Sequence, residues 1–233
     1  MLWAKQFRYA ADNLGYVIHG EEEAMVVDGG AAASIVSHLE EGKRALRYVA
    51  STHNHPDHTS GNADLMNRYG AMLLNPGALP DGFRIRLDGH EIVVFRTPGH
   101  TDDSVCFYAG PFLFTGDTLF NGTIGNCFSG DERGFYRSVK KLMALPGSTI
   151  VYAGHDYVRD ALAFAKTMAP DPKAFASCLR RYDPGHVFSR LDDELRVNPY
   201  LRFNDPNVVA ILKEKGLPAG TEWQRWQSLM TLE

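Results

Sequence analysis

Cysteine is scarce in this 233-residue chain. Cys106, Cys127 and Cys178 are the only three, and no pair is spaced C-x-x-C. An odd number of widely separated thiols argues against a disulfide framework and fits a reducing cytoplasm. An excess of either charge is missing too. The chain has 24 Lys plus Arg against 28 Asp plus Glu, a net −4 with no block of one sign. A nucleic-acid partner would call for a basic stripe, and none is present. Long apolar runs are absent, and the opening MLWAKQFRYAADNLG has no apolar core of export-signal length. No membrane association is therefore expected, and the cytoplasm is the expected location. What remains is an ordinary globular mix, long enough for one large domain or a large and a small one.

Short strand-like runs fill the first two thirds. LWAKQFRY, GYVIHG and EAMVVDGG are separated by the turn formers Asp12-Asn13 and Glu21-Glu22. Residues 31–42 read as a helix ending at a glycine, 46–50 as a strand, 62–69 as a helix and 71–76 as a strand. EIVVFR, SVCFYA, FLFT and TIVYA are further strands, with a helix over 133–145. After His155 the strand runs stop. Residues 156–168, 172–182, 189–196, 207–215 and 222–230 read as helices punctuated by Pro and Gly. The expectation is a large α/β domain over 1–157 and a small helical one over 158–233.

Chemistry concentrates at Ser-Thr-His-Asn-His-Pro-Asp-His, residues 51–58. In an extended loop His53 and His55 share one side. Asp57 and His58 follow the Pro56 turn and can point elsewhere, so the run reads as two ligands for one metal and two for another. A chance cluster on a polar loop is the bland alternative. Imidazole and carboxylate suit zinc, iron or manganese, and without thiolates a structural zinc knot is disfavoured. Three strand ends add candidates: His100 in TPGHT, Asp117 in TGDT and His155 in AGHD. Each follows a glycine, which lets the backbone turn and present the next side chain at a sheet edge. Taken singly, each is weak: a lone histidine is usually a satisfied one, and a lone aspartate after a strand usually forms a turn. His19, His38, His90 and His186 are given no role.

Together, T-H-x-H-x-D-H, T-P-G-H-T, G-D-T and G-H-D resemble the metallo-β-lactamase superfamily in order and spacing. The resemblance implies a four-layer αββα sandwich with two divalent metal ions at one edge. It places His53, His55 and His100 on the first ion, and Asp57, His58 and His155 on the second. Asp117 bridges them. Asp57 and Asp117 would then act in catalysis through a metal-bridging hydroxide. LFTGDTLF, TIVYAGHDYVRDALAFA and ELRVNPYLR are similar to the glyoxalase II (hydroxyacylglutathione hydrolase) family from about Asn13 to Arg202. That implies hydrolysis of a small thioester, with a helical C-terminal domain contributing to the substrate site. Tyr157, Asn126 and Phe128 fall at its substrate-binding positions. A basic residue and a tyrosine of the family's G-C-G-[KR]-[FY]-[FY]-E-G loop are here Asn126 and Phe128, and no C-terminal basic pair is recognisable. Thus the glutathione contacts are altered while the ligands are kept. Asp28, Thr118 or backbone carbonyls are candidates to orient the histidines, and Arg133 or Arg137 to replace the lost cations. The rival readings are a persulfide dioxygenase-like mononuclear iron oxidoreductase, a β-lactamase, a ribonuclease-type enzyme and a non-catalytic metal-binding protein.

Overall fold

The computed structural model describes residues 1–232. Its first sheet contains β1 (Trp3–Tyr9), β2 (Asn13–His19), β3 (Glu23–Val27), β4 (Ala45–Ala50) and β5 (Met72–Leu74), adjacent in that order. The second contains β6 (Arg84–Leu87), β7 (His90–Arg96), β8 (Val105–Ala109), β9 (Phe112–Gly116), β10 (Ile150–Ala153) and β11 (Ser189–Arg190), in the order β11-β10-β9-β8-β7-β6. Helices α1 (Ala32–Glu41), α2 (Pro56–Thr59) and α3 (Asn62–Tyr69) belong to the first half. Next come α4 (Glu132–Met143), α5 (Val158–Thr167), α6 (Pro172–Arg181), α7 (Leu191–Val197), α8 (Pro206–Glu214) and α9 (Glu222–Met230).

The sandwich follows from side-chain alternation along strands covered on both faces. In β2 and β3, Leu14, Tyr16, Ile18, Met25 and Val27 point between the sheets. Val17, Ala24 and Val26 point outward onto Ile35, Leu39 and Leu65 of α1 and α3. The second sheet divides the same way. Val105, Phe107 and Phe114 face the inter-sheet core. Cys106, Leu113 and Val151 face Phe135, Val139 and Leu142 of α4. This is the expected αββα arrangement. Val208, Leu212 and Trp226 of the C-terminal helices belong to the same cluster as α4. The helical tail thus completes the outer layer over the second sheet.

Strand direction decides where the candidate ligands emerge. β7 and β9 both run antiparallel to β8, and β10 runs parallel to β9. The chain leaves β7, β9 and β10 at one edge, so His100, Asp117 and His155 converge there.

Two strands differ from expectation. β6 (Arg84–Leu87) was not anticipated, because RIRL carries two arginines that dilute its apolar signal; Ile85 and Leu87 are its inward face. Residues 189–190, expected to begin a helix, instead pair with β10 as β11 before α7 starts at Leu191.

The ELRVNPYLR run serves as a clamp. Glu194 on α7 accepts hydrogen bonds from Gly122 N and from Asn198 Nδ2, both at 3.0 Å. Asn198 Nδ2 also donates to Thr123 O at 3.0 Å. The helical tail therefore fixes the segment that follows Asp117. Burial pushes the Glu194 carboxyl up from its ordinary 4.5 to about 7. A raised folded-state value means that folding takes up a proton between about pH 4.5 and 7. The associated stability is fully present below that window and lost as pH rises through it. Glu194→Gln cannot ionise, so its Tm relative to wild type is expected to climb across the window, measured by thermal unfolding at stepped pH.

Candidate metal centre

β4 ends at Ala50, and the buried segment Ser51-Thr52-His53 leads to His55, an extended residue capping α2. Pro56 opens this single turn, where its missing N–H costs nothing. The turn places Asp57 and His58 opposite the second sheet. Gly116 has φ +49°, in the left-handed region, so β9 can bend sharply before Asp117. Gly154 acts differently. A Cβ there would lie 2.3 Å from Asp117 Oδ1, so its role is close approach.

The seven expected side chains meet. Ligating atoms of His53, His55 and His100 lie within 4.8 Å of one another, as do those of Asp57, His58 and His155. His53 Nε2 is 2.8 Å from His55 Nδ1, and His100 Nε2 is 3.2 Å from that same nitrogen. Asp117 lies between the sets. Its Oδ2 is 3.5 Å from Nε2 of both His100 and His155, and its Oδ1 is 3.4 Å from Nε2 of His58.

The outward nitrogens fix the tautomers. His58 Nδ1 donates to Asp28 Oδ2 at 3.0 Å, His155 Nδ1 to Asp12 Oδ1 at 2.9 Å, and His100 Nδ1 to the Asn126 carbonyl at 3.0 Å. Carboxylates and carbonyls only accept, so these Nδ1 atoms carry a hydrogen and it is each Nε2 that faces inward, where a cation can take the lone pair in place of any proton. Nε2 of His58 and His155 face each other at 3.2 Å. Asp117 Oδ1 is buried without a hydrogen-bond partner. Inward-facing imidazole nitrogens around a carboxylate oxygen with no hydrogen-bond partner call for positive charge between them, as a proton or a metal ion, and the nitrogen and oxygen donor set fits divalent cations.

The sequence profile of the metallo-β-lactamase superfamily matches residues 12–79 and 73–155. The chain is 35% identical over 213 residues to the hydroxyacylglutathione hydrolase of Chromohalobacter salexigens, covering 84% of each chain. It is 33% identical over 235 residues to the same-named protein of Brucella ovis, covering 92% of this chain and 91% of the other. The chain belongs to the metallo-β-lactamase superfamily, in its hydroxyacylglutathione hydrolase branch. Among solved structures, ETHE1 from Myxococcus xanthus shares the superfamily fold, with a TM-score of 0.72 at 23% identity, over 99% of this chain and 90% of that one.

Protonation in this superfamily centre follows from packing. Burial and the neighbouring His58 hold His53 down at about 2, so its ring is neutral and free to donate a lone pair. Burial also lowers His100. At His58 burial again works downward, but the Asp28 and Asp117 carboxylates outweigh it and push the imidazole up to about 11. A cation at His58 Nε2 therefore displaces a proton. For Asp117 burial works upward, yet His58 and the other imidazoles hold the carboxyl at about 2, ionised.

Sequence reasoning found some supporting residues and missed others. Asp28 is as expected. It is a buried non-glycine residue at φ +54° that also accepts from Thr52 N at 2.8 Å and Thr52 Oγ1 at 2.9 Å. Thr118 does not serve; its hydroxyl pairs with that of Thr97 at 3.0 Å. Asp12 and Asn13 were missed. Asn13 Nδ2 donates to Asp57 Oδ2 at 2.8 Å, and Asn13 forms an isolated β-bridge with His155. Their signal was present, but Asp-Asn between strands reads first as a turn. Asp28→Ala is expected to weaken metal affinity at the Asp57, His58 and His155 set by roughly 10–100-fold, read by competition with a chromogenic chelator.

The expected substrate positions flank the centre. Phe128 is exposed, with its ring 5.2 Å from that of His100. Tyr157 stacks flat on His155 at 5.1 Å, and burial pushes its phenol up to about 12. The Asn126 side chain is exposed, and its backbone carbonyl is what reaches His100. Neither expected replacement cation comes to the centre. Arg133 lies over the Trp223 ring at 4.8 Å, and Arg137 sits 4.0 Å from Asp131.

Proposed function

We propose that this protein is a binuclear metal-dependent thioester hydrolase that cleaves a hydroxyacyl thiol ester to a hydroxy acid and a thiol. The observation that carries the reading is the Asp117 carboxylate, lying between two three-residue ligand sets. The names of relatives at 33–35% identity supply the reaction class. In this reading His53, His55 and His100 hold one divalent ion and Asp57, His58 and His155 the other, with Asp117 shared. Zinc, iron and manganese all suit such ligands. The helical tail from residue 158 on would support the substrate side through its hold on the segment at Gly122, and three free cysteines accord with a cytoplasmic setting.

Two such ions supply a water-derived nucleophile at neutral pH and positive charge against a developing oxyanion. The protein supplies position. Asp28, Asp12 and the Asn126 carbonyl hold three imidazoles by their outer nitrogens, so that the inner lone pairs stay aimed. Asn13 holds Oδ2 of Asp57. Asp57 is partly exposed at the mouth, unlike the buried Asp117, so it would hold its ion at the edge of the centre that is open to solvent. In the overall reaction a C–O bond forms, the C–S bond breaks, and the sulfur leaves with the electron pair. A thiolate is a stable leaving group, so no separate acid is required.

Elemental analysis together with a thioester panel tests the proposal. Two ions per chain and hydrolysis, both abolished by chelation and restored by adding metal back, are the expected results. The ligands come from loops of both sheets, so chelation should also lower the Tm by several degrees. One iron per chain with oxygen uptake and no hydrolysis would reject the assignment in favour of the dioxygenase reading.

A further inference from the structure

Two aromatic side chains stand exposed beside the metal centre, one against each ligand set. Phe128 is 67% exposed, and its ring lies 5.2 Å from His100 and 6.1 Å from His55. Tyr157 is 38% exposed and parallel to His155 within 4°. Neither is a loose surface ring. Phe128 N donates to His100 O at 3.1 Å, and the next residue is tied to Gly99 O through both its backbone N and its hydroxyl. Tyr157 is backed by buried Phe120, with ring centres 5.0 Å apart. Large apolar surfaces held open to water beside a reaction centre are characteristic of ligand seats.

Charge around the mouth points the same way. Segments 51–61, 97–103, 116–131 and 153–158 build the centre and contain no lysine or arginine. They carry Asp102, Asp103, Asp131 and Asp156 in addition to the candidate ligands. Arginines just beyond them are engaged elsewhere. Arg8 pairs with Asp156, Arg133 with the Trp223 ring, Arg137 with Asp131, and Arg159 with the Tyr182 ring. With Asp156 and Asp131 matched by Arg8 and Arg137, the acids of these segments without an ion pair are Asp102 and Asp103, and a thiol carrying carboxylates would find no free guanidinium in these segments to pair with.

From these two observations, and resting on the thioester hydrolase reading above, we infer that the thiol half of the substrate is uncharged and apolar. Its body sits between Phe128 and Tyr157, while the acyl carbon reaches the ligand sets. Phe128 and Tyr157 are then the specificity-determining residues for the leaving thiol.

The test measures kcat/KM of the metal-loaded full chain for two S-lactoyl esters, one of benzyl mercaptan and one of glutathione. The benzyl ester is expected to be preferred by about tenfold or more, the scale of discrimination an apolar seat provides. Phe128→Arg places a cation at a position that is 67% exposed, on a side chain long and flexible enough to point its charge away from His100 into solvent. It should leave the metal content at the wild-type value and move the preference toward glutathione by about tenfold, chiefly through KM. Equal or better turnover of the glutathione ester by wild type would overturn the inference and leave the hydrolase reading standing. A wild-type preference for the benzyl ester that Phe128→Arg fails to shift would overturn the assigned seat. Turnover of neither ester by fully loaded protein would overturn both inference and reading.

Discussion

Asp117→Ala is expected to lose bound metal and hydrolytic activity together, with kcat/KM falling by about 10³-fold. No other side chain among the described residues lies between both ligand sets, with its oxygens 3.4–3.5 Å from imidazoles of each. Deleting it removes negative charge from a buried site that concentrates histidines. It also leaves His58 without one of its three carboxylate neighbours, Asp28, Asp57 and Asp117. Asp117→Asn separates charge from shape. It fills the same volume and keeps one acceptor oxygen, but cannot balance cationic charge, so it should fold normally and still bind metal poorly. Elemental analysis and steady-state kinetics on both variants give the answer. An alanine variant that retained two ions and the full rate would remove Asp117 from the centre of the proposal.

Trp226→Ala has the largest expected effect on stability, a loss of about 3–5 kcal/mol. Trp226 is fully buried on α9, with ring centres 5.8 Å from Phe135, 5.6 Å from Tyr136 and 5.9 Å from Trp223. The first two of these lie on α4, the helix covering the second sheet behind the centre. The truncation opens a cavity at the junction of tail and sandwich, where rigid rings have little freedom to collapse into it. Denaturant titration should show a lower midpoint. Whatever fraction remains folded should still bind metal, since Trp226 contacts no ligand. This burial gives α9 a packing role that its sequence does not announce.

Much of the centre was legible because its chemistry is carried by residue type. Three histidines and an aspartate within six positions, together with glycine-preceded polar residues after apolar strands, have few readings other than a metal site. The α/β character was legible from short apolar strands and intervening helices, and the αββα layering came as what the resemblance to the metallo-β-lactamase superfamily implies. What escaped detection depended on geometry between distant segments. Asp12 reads as a turn former until β-pairing brings it 2.9 Å from His155. Glu194 looks like an exposed helical acid until α7 docks on the segment at Gly122. β6 and β11 were missed because the first is short and charged and the second only two residues long. The glycine before His155 was recognised for the wrong reason. Its need is room for the Asp117 oxygen, a contact across 37 residues of sequence that no local pattern encodes.

The strand order of the second sheet sets a schedule for biosynthesis. β10 follows β9 in the chain after the α4 segment and is laid beside it, and the last histidine of the centre, His155, comes two residues after its end. A polypeptide emerging from the ribosome can gather His53, His55, His58, His100 and Asp117 well before His155 is available. The group of Asp57, His58 and His155 is consequently the last of the candidate ligand sets to be completed as the chain is made.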